Sequence, residues 1–215
     1  MSIMPHHFIA NAENRYRSIL TEECRRLFAG TRMPSHDLHH HERVWDNASL
    51  LLQRLYDSGE ADDPRLAEKA IIAAFFHDTG LTVNHGPDHG RESREICAAF
   101  LVNSDFSPEE RLEILNAVER HDDKYYQSTS DPSSLAAIIS VADDMDAFGQ
   151  TGIGRYTEIY SMRGTTAEEM PQLIIPNVMS RLRHLEETFR MFPDIVAEQR
   201  MRAAEVTDYF TTNTK

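Results

Sequence analysis

His77 and Asp78 close an apolar run, Ile71-Ile72-Ala73-Ala74-Phe75-Phe76, in the segment AAFFHDTGLT at residues 73–82. A bare carboxylate in apolar surroundings is costly unless a cation or several hydrogen-bond donors face it. Imidazole and carboxylate together suit a divalent transition metal, and the cation supplies the charge that such an aspartate needs. The chain has 11 histidines to offer. Candidates that fall on apolar helix faces are His40 or His41, His89 and His121. Asp143, Asp144 and Asp146 end another apolar helix.

Such residues meet only if helices carry them inward. The chain reads as helical nearly throughout, near 8–29, 38–57, 64–78, 89–103, 108–121, 133–147, 153–162, 167–190 and 194–210. Asp63-Pro64, Ser107-Pro108-Glu109-Glu110, Asp131-Pro132 and Thr166-Ala167-Glu168-Glu169 are start signals, each a cap followed by Pro or by a capping-box Glu. Pro176 is expected to break or kink the eighth helix, and Pro193 to separate it from the last. No window alternates with the two-residue period of a strand, so the fold class is all-α. Residues 79–88 and 122–132 are the loops that look functional.

Helical spacing says which candidates point inward. Val44, Ala48, Leu51, Leu52 and Leu55 form one stripe. His40 lies one turn before Val44 and His41 one turn before Trp45, so both face the buried side and periodicity leaves the choice open; His39 points away. His77 continues the Ala70–Ala73 line, and Asp78 continues Ile71–Ala74. Asp143 continues Ala136–Ile139, while Asp146 and, less well, Asp144 also face inward. His121 follows Ile114 and Val118, and His89 precedes Ile96 and Phe100.

Net charge is −13. A surface this acidic repels phosphate backbones, which argues against a nucleic-acid polymer as partner, yet a local cation still permits a small phosphorylated ligand. No apolar run is long enough to span a bilayer. The N-terminal residues do not read as a secretory signal, and Cys24 and Cys97 form neither a ligand motif nor a disulfide framework. A cytoplasmic protein is the expectation.

With these residues in place the sequence resembles the HD-domain metal-dependent phosphohydrolase superfamily. Its signature is His … His-Asp … Asp on an all-helical core. The likeness covers about residues 36–156 and is nearest to the small stand-alone bacterial HD hydrolases. HDLHHHERVWDNA is similar to the segment whose first ligand stands four residues before the Val, which selects His40. HGRES resembles the next segment, and VADDMDAFGQTGIGR resembles the stretch that carries the ligand aspartate, here Asp143. Thr79, Gly80, Leu81 and Thr82 stand where some members carry a catalytic Glu or Glu-Asp, and the Gly-Tyr-Pro hallmark of the cyclic-di-GMP phosphodiesterases is absent.

The resemblance implies a single HD domain, an all-α bundle with a helical extension over about 165–211, that hydrolyses a small phosphate ester or anhydride, nucleotides among them. His40, His77, Asp78 and Asp143 would hold a divalent cation: Mn, Fe, Co, Ni, Zn or Mg. Asp78 and His121 are the catalytic candidates. His89, His121 and His85 are candidates for a second metal, which requires the 79–88 segment to fold back; one tight ion with the second weaker or absent is the favoured count. Arg155, Lys124 and Arg43 are candidates to neutralise phosphate, against the plain reading of solvated charge. A homo-oligomer is compatible with the sequence. The alternatives are an HD-type di-iron oxygenase and a non-catalytic metal-bound sensor or scaffold.

Overall fold

The computed structural model describes residues 6–31, 33–84, 86, 88–123 and 131–212. Among these the chain forms nine α-helices, two short 3-10 turns and no strand, as the all-α reading expects. It divides into two compact units, one ending at Ala142 and the other beginning at Asp143.

The first unit comprises α1 (His6–Phe28), a 3-10 turn (Pro34–His36), α2 (Leu38–Ser58), α3 (Leu66–Phe76), a second 3-10 turn (Thr79–Thr82), α4 (His89–Leu101) and α5 (Pro108–Arg120). It also includes the first residues of α6 (Leu135–Asp146). Its centre is α3. Every residue of α3 except Glu68 is buried. A short helix that is apolar all round has to be enclosed, and α3 packs against α1, α2, α4 and α5. Its one charged buried group, Lys69, is held by Asp63 at 2.7 Å and Glu113 at 2.6 Å. The His77-Asp78 pair therefore leaves the most enclosed helix of the unit.

Caps set where the helices around α3 begin. Asp37 accepts from the N–H groups of His39 and His40, which fixes the first turn of α2, and Gly59 closes the helix in the left-handed conformation at φ 76°. Ser107 and Glu110 form a complete capping box on α5. Asp63 caps a preliminary turn, accepting from Arg65 N–H at 2.8 Å, so α3 starts at Leu66 and not at 64.

The second unit comprises the end of α6, then α7 (Gly149–Met162), α8 (Met170–Thr188) and α9 (Pro193–Thr212). Here α9 packs on both α7 and α8. Two expectations are corrected. Pro176 does not break α8, which runs through it from Met170 to Thr188; its neighbours Ile174 and Val178 are fully buried, and that burial offsets the lost backbone bond. And α7 begins four residues early, because Gly152 lets the Ala147 carbonyl approach to 2.0 Å from where a Cβ would stand.

Candidate metal centre

The apolar run of α3 ends as the chain turns. His77 still donates its backbone N–H to the Ala73 carbonyl at 2.9 Å. Asp78 then leaves helical geometry at φ −107°, ψ 7° and starts the 3-10 turn, closed by Thr79 Oγ1 donating to the Phe76 carbonyl at 2.8 Å. The result is a carboxylate fixed at the end of a buried helix and itself buried.

Imidazoles from three other elements, together with His77, surround that carboxylate. On the Oδ2 side stand His40 Nε2 at 3.3 Å and His77 Nε2 at 3.4 Å. On the Oδ1 side stand His121 Nε2 at 3.0 Å and His89 Nε2 at 3.3 Å. Two donor groups thus share one aspartate: His40, His77 and Asp78, and Asp78, His89 and His121. His40 and His41 are both fully buried, as the stripe predicted. What separates them is reach. His40 Nε2 lies 3.0 Å from His77 Nε2, whereas His41 directs Nδ1 to the Ala74 carbonyl at 3.3 Å. His41 Nε2 has no hydrogen-bond partner among the described residues.

The donor chemistry fits a cation. His77 Nδ1 faces the Ala74 carbonyl at 2.8 Å, His121 Nδ1 the Val118 carbonyl at 2.8 Å and His89 Nδ1 the Gly86 carbonyl at 3.0 Å. A carbonyl only accepts, so each Nδ1 carries the hydrogen and each Nε2 presents a lone pair, the arrangement that metal-ligating histidines use. Adjacent donors about 2.1 Å from an octahedral ion lie about 3 Å apart, and His40 Nε2 and His77 Nε2 have that spacing. Burial holds His77 below the usual imidazole range, although Asp78 pulls the other way. Burial alone would raise Asp78, but the field of His77 and the rings of His121 and His40 that face it hold it well below the carboxylate range. A neutral His77 and an ionised Asp78 are the protonation states that bind metal, whereas Asp78 holds His89 above the usual imidazole range in spite of its burial.

A sequence profile of the HD domain matches residues 37–147. The chain belongs to the HD domain family. That places it in a superfamily of metal-dependent phosphohydrolases, and the matched segment includes the His77-Asp78 pair. No curated protein matches the sequence significantly. The crystal structure of a Lactobacillus plantarum protein, a structural-genomics target, is similar with a TM-score of 0.58 at 16% identity, covering 90% of this chain and 92% of that one. Likeness at that identity speaks for the fold.

Two glycines bring the second side of the HD pair together. A Cβ on Gly80 would meet the His89 carbonyl at 2.0 Å and the Ser93 nitrogen at 2.6 Å, and Gly80 N–H donates to Ser93 Oγ at 2.8 Å. The turn after Asp78 is thereby seated on the first turn of α4, next to His89. A Cβ on Gly90 would meet the Glu119 carbonyl at 2.3 Å, so α4 also lies against the end of α5, two residues before His121. Among the described residues His89 and His121 thus converge on Asp78 Oδ1, while residues 85 and 87 of the 79–88 segment lie outside them.

The other candidates are placed as follows. Asp143 belongs to the second unit, where its Oδ2 accepts from Arg181 at 3.1 Å and its Oδ1 lies 3.7 Å from Arg155. Arg155 donates to Asp146 at 2.9 Å, so this guanidinium is engaged with carboxylates and is mostly buried, unlike the solvated charge of the plain reading. Asp144, pushed up by burial against the pull of Arg181 and His184, accepts from Arg181 and from His184, each at 2.7 Å. Arg43 is half-buried on α2. Lys124 and His85 lie outside the described residues. Sequence reasoning missed His36, which reaches the Asp78 cluster, and the Arg181–His184 pair. The i, i+3 spacing of those two on α8 could have flagged the pair.

Proposed function

We propose that this HD-domain protein is a metal-dependent hydrolase of a small phosphate ester or anhydride, nucleotides among them. The observation that carries the reading is the pair of donor groups sharing Asp78. His40, His77 and Asp78 would hold one divalent cation, and Asp78, His89 and His121 a second, with Asp143 carried into the first set by the family resemblance alone. A bound divalent ion supplies an acidified water and a positive centre for phosphoryl oxygens. The chain's own residues prepare that chemistry. The Ala74, Val118 and Gly86 carbonyls orient His77, His121 and His89. Asp78 spans both sets of imidazoles, fixing their separation. Where the second group holds no ion, His121, whose Nε2 stands 3.0 Å from Asp78 Oδ1, is instead the candidate for moving a proton to the leaving oxygen. The net charge of −13 favours a small substrate over a polymer.

The histidine-rich second group also favours one alternative, a di-iron oxygenase. Elemental analysis of the purified protein, combined with turnover of phosphate monoesters, diesters and nucleoside triphosphates over a series of divalent metals, separates the two. Phosphate release that needs added or resident metal is the expected result. Bound iron with oxygen uptake and no phosphate release would overturn the proposal, as would full metal occupancy with no turnover in the whole series.

A further inference from the structure

Among the described residues five imidazoles stand around Asp78, and the two donor groups use four of them. The fifth is His36. Its Nε2 lies 3.9 Å from Asp78 Oδ2, beyond hydrogen-bond range. The ring is nevertheless held in a fixed place. His36 ends the first 3-10 turn, where its N–H donates to the Met33 carbonyl at 3.0 Å, and the next residue, Asp37, is the α2 cap. Its ring stands edge-on to His40, with centroids 5.6 Å apart. The side chains of His40 and His77 are 0% exposed, whereas that of His36 is 18% exposed. His36 is therefore the ring near Asp78 Oδ2 that solvent reaches. It is close enough to meet whatever arrives there, and it belongs to neither group.

We propose that His36 is a substrate-contacting residue, its Nε2 meeting an oxygen of the phosphoryl group that binds at the first donor group. The proposal rests on the phosphohydrolase reading and adds a residue to it. A tetrahedral oxyanion beside His40 and His77 needs a donor on its outer side that is not already a ligand. His36 is a ring on a rigid turn at that position, so little conformational freedom is lost when it makes the bond.

The test is calorimetric titration of inorganic phosphate into the metal-loaded full chain, with elemental analysis of the same samples, for the parent, His36→Ala and His36→Gln. Both variants should keep the parent metal content. His36→Ala should bind phosphate about tenfold more weakly, the loss expected for one hydrogen bond to a charged group. His36→Gln should recover part of that, since its amide offers a donor at similar reach. Loss of metal from His36→Ala would make His36 a ligand and overturn the proposal. Parent-like phosphate affinity in His36→Ala at full metal content would overturn it too, while leaving the phosphohydrolase reading intact. A parent that takes up metal and binds no phosphate would overturn that reading, and the role of His36 with it.

Discussion

Gly80→Ala tests whether the second donor group depends on a single missing Cβ. Gly80 is not among the positive-φ glycines, so its backbone alone would accept alanine. Such a change usually stabilises by about 0.4–1 kcal/mol. The surroundings reverse that sign. The new Cβ would stand 2.0 Å from the His89 carbonyl and 2.6 Å from the Ser93 nitrogen. Carbon and carbonyl oxygen need about 3.3 Å, so the turn and α4 must separate by about 1.3 Å. Overpacking of this kind costs about 1–3 kcal/mol, and the Gly80–Ser93 hydrogen bond adds about 1 kcal/mol more. His89 stands on the displaced turn, and its Nε2 now lies 3.3 Å from Asp78 Oδ1. Metal distances tolerate only about 0.2 Å. The expected outcome is loss of about 2–4 kcal/mol in urea unfolding of the metal-free protein. The second metal equivalent should go and the first, on His40, His77 and Asp78, should stay. A variant as stable as the parent or more so, with both equivalents retained, would refute the reasoning.

Asp78→Ala removes the one ligand common to both groups, so metal content should fall close to zero by elemental analysis and hydrolysis with it. The helical far-ultraviolet signal should survive, because the α3 core does not depend on the ion. His121→Ala should reduce only the second equivalent. If the parent holds a single ion and His121→Ala keeps it while losing rate, His121 serves the substrate instead. Single- and double-stranded oligonucleotides should show no measurable binding at physiological salt, and submicromolar, salt-sensitive binding in a filter or anisotropy assay would contradict the small-substrate reading.

Much of the molecule was legible because its helices are decided locally. The capping box at Ser107–Glu110 and the Asp63 cap before α3 are short-range devices. The inward faces of His40, His41, His89 and His121 follow from the 3.6-residue period. The same logic put His77 and Asp78 at the edge of the core, and the family likeness added which metal chemistry to expect.

Where sequence reasoning failed, the deciding contact lay far along the chain. Periodicity could not choose between His40 and His41, since neighbours on a helix are 100° apart and α2 buries both. The choice is made by His77, 37 residues away, whose Nε2 meets that of His40. His36 lies outside any helical window, on a 3-10 turn, and only the packing of that turn near the end of α3 brings it to Asp78. Pro176 shows the reverse case, a strong local signal overridden by the burial of Ile174 and Val178. The sequence by itself determined which residues face inward and what chemistry they can carry, because helix period and capping act over a few residues. Only the tertiary structure decided that four imidazoles divide between the two oxygens of one carboxylate. That division depends on glycines letting separate helices approach within van der Waals distance, and no local pattern encodes it.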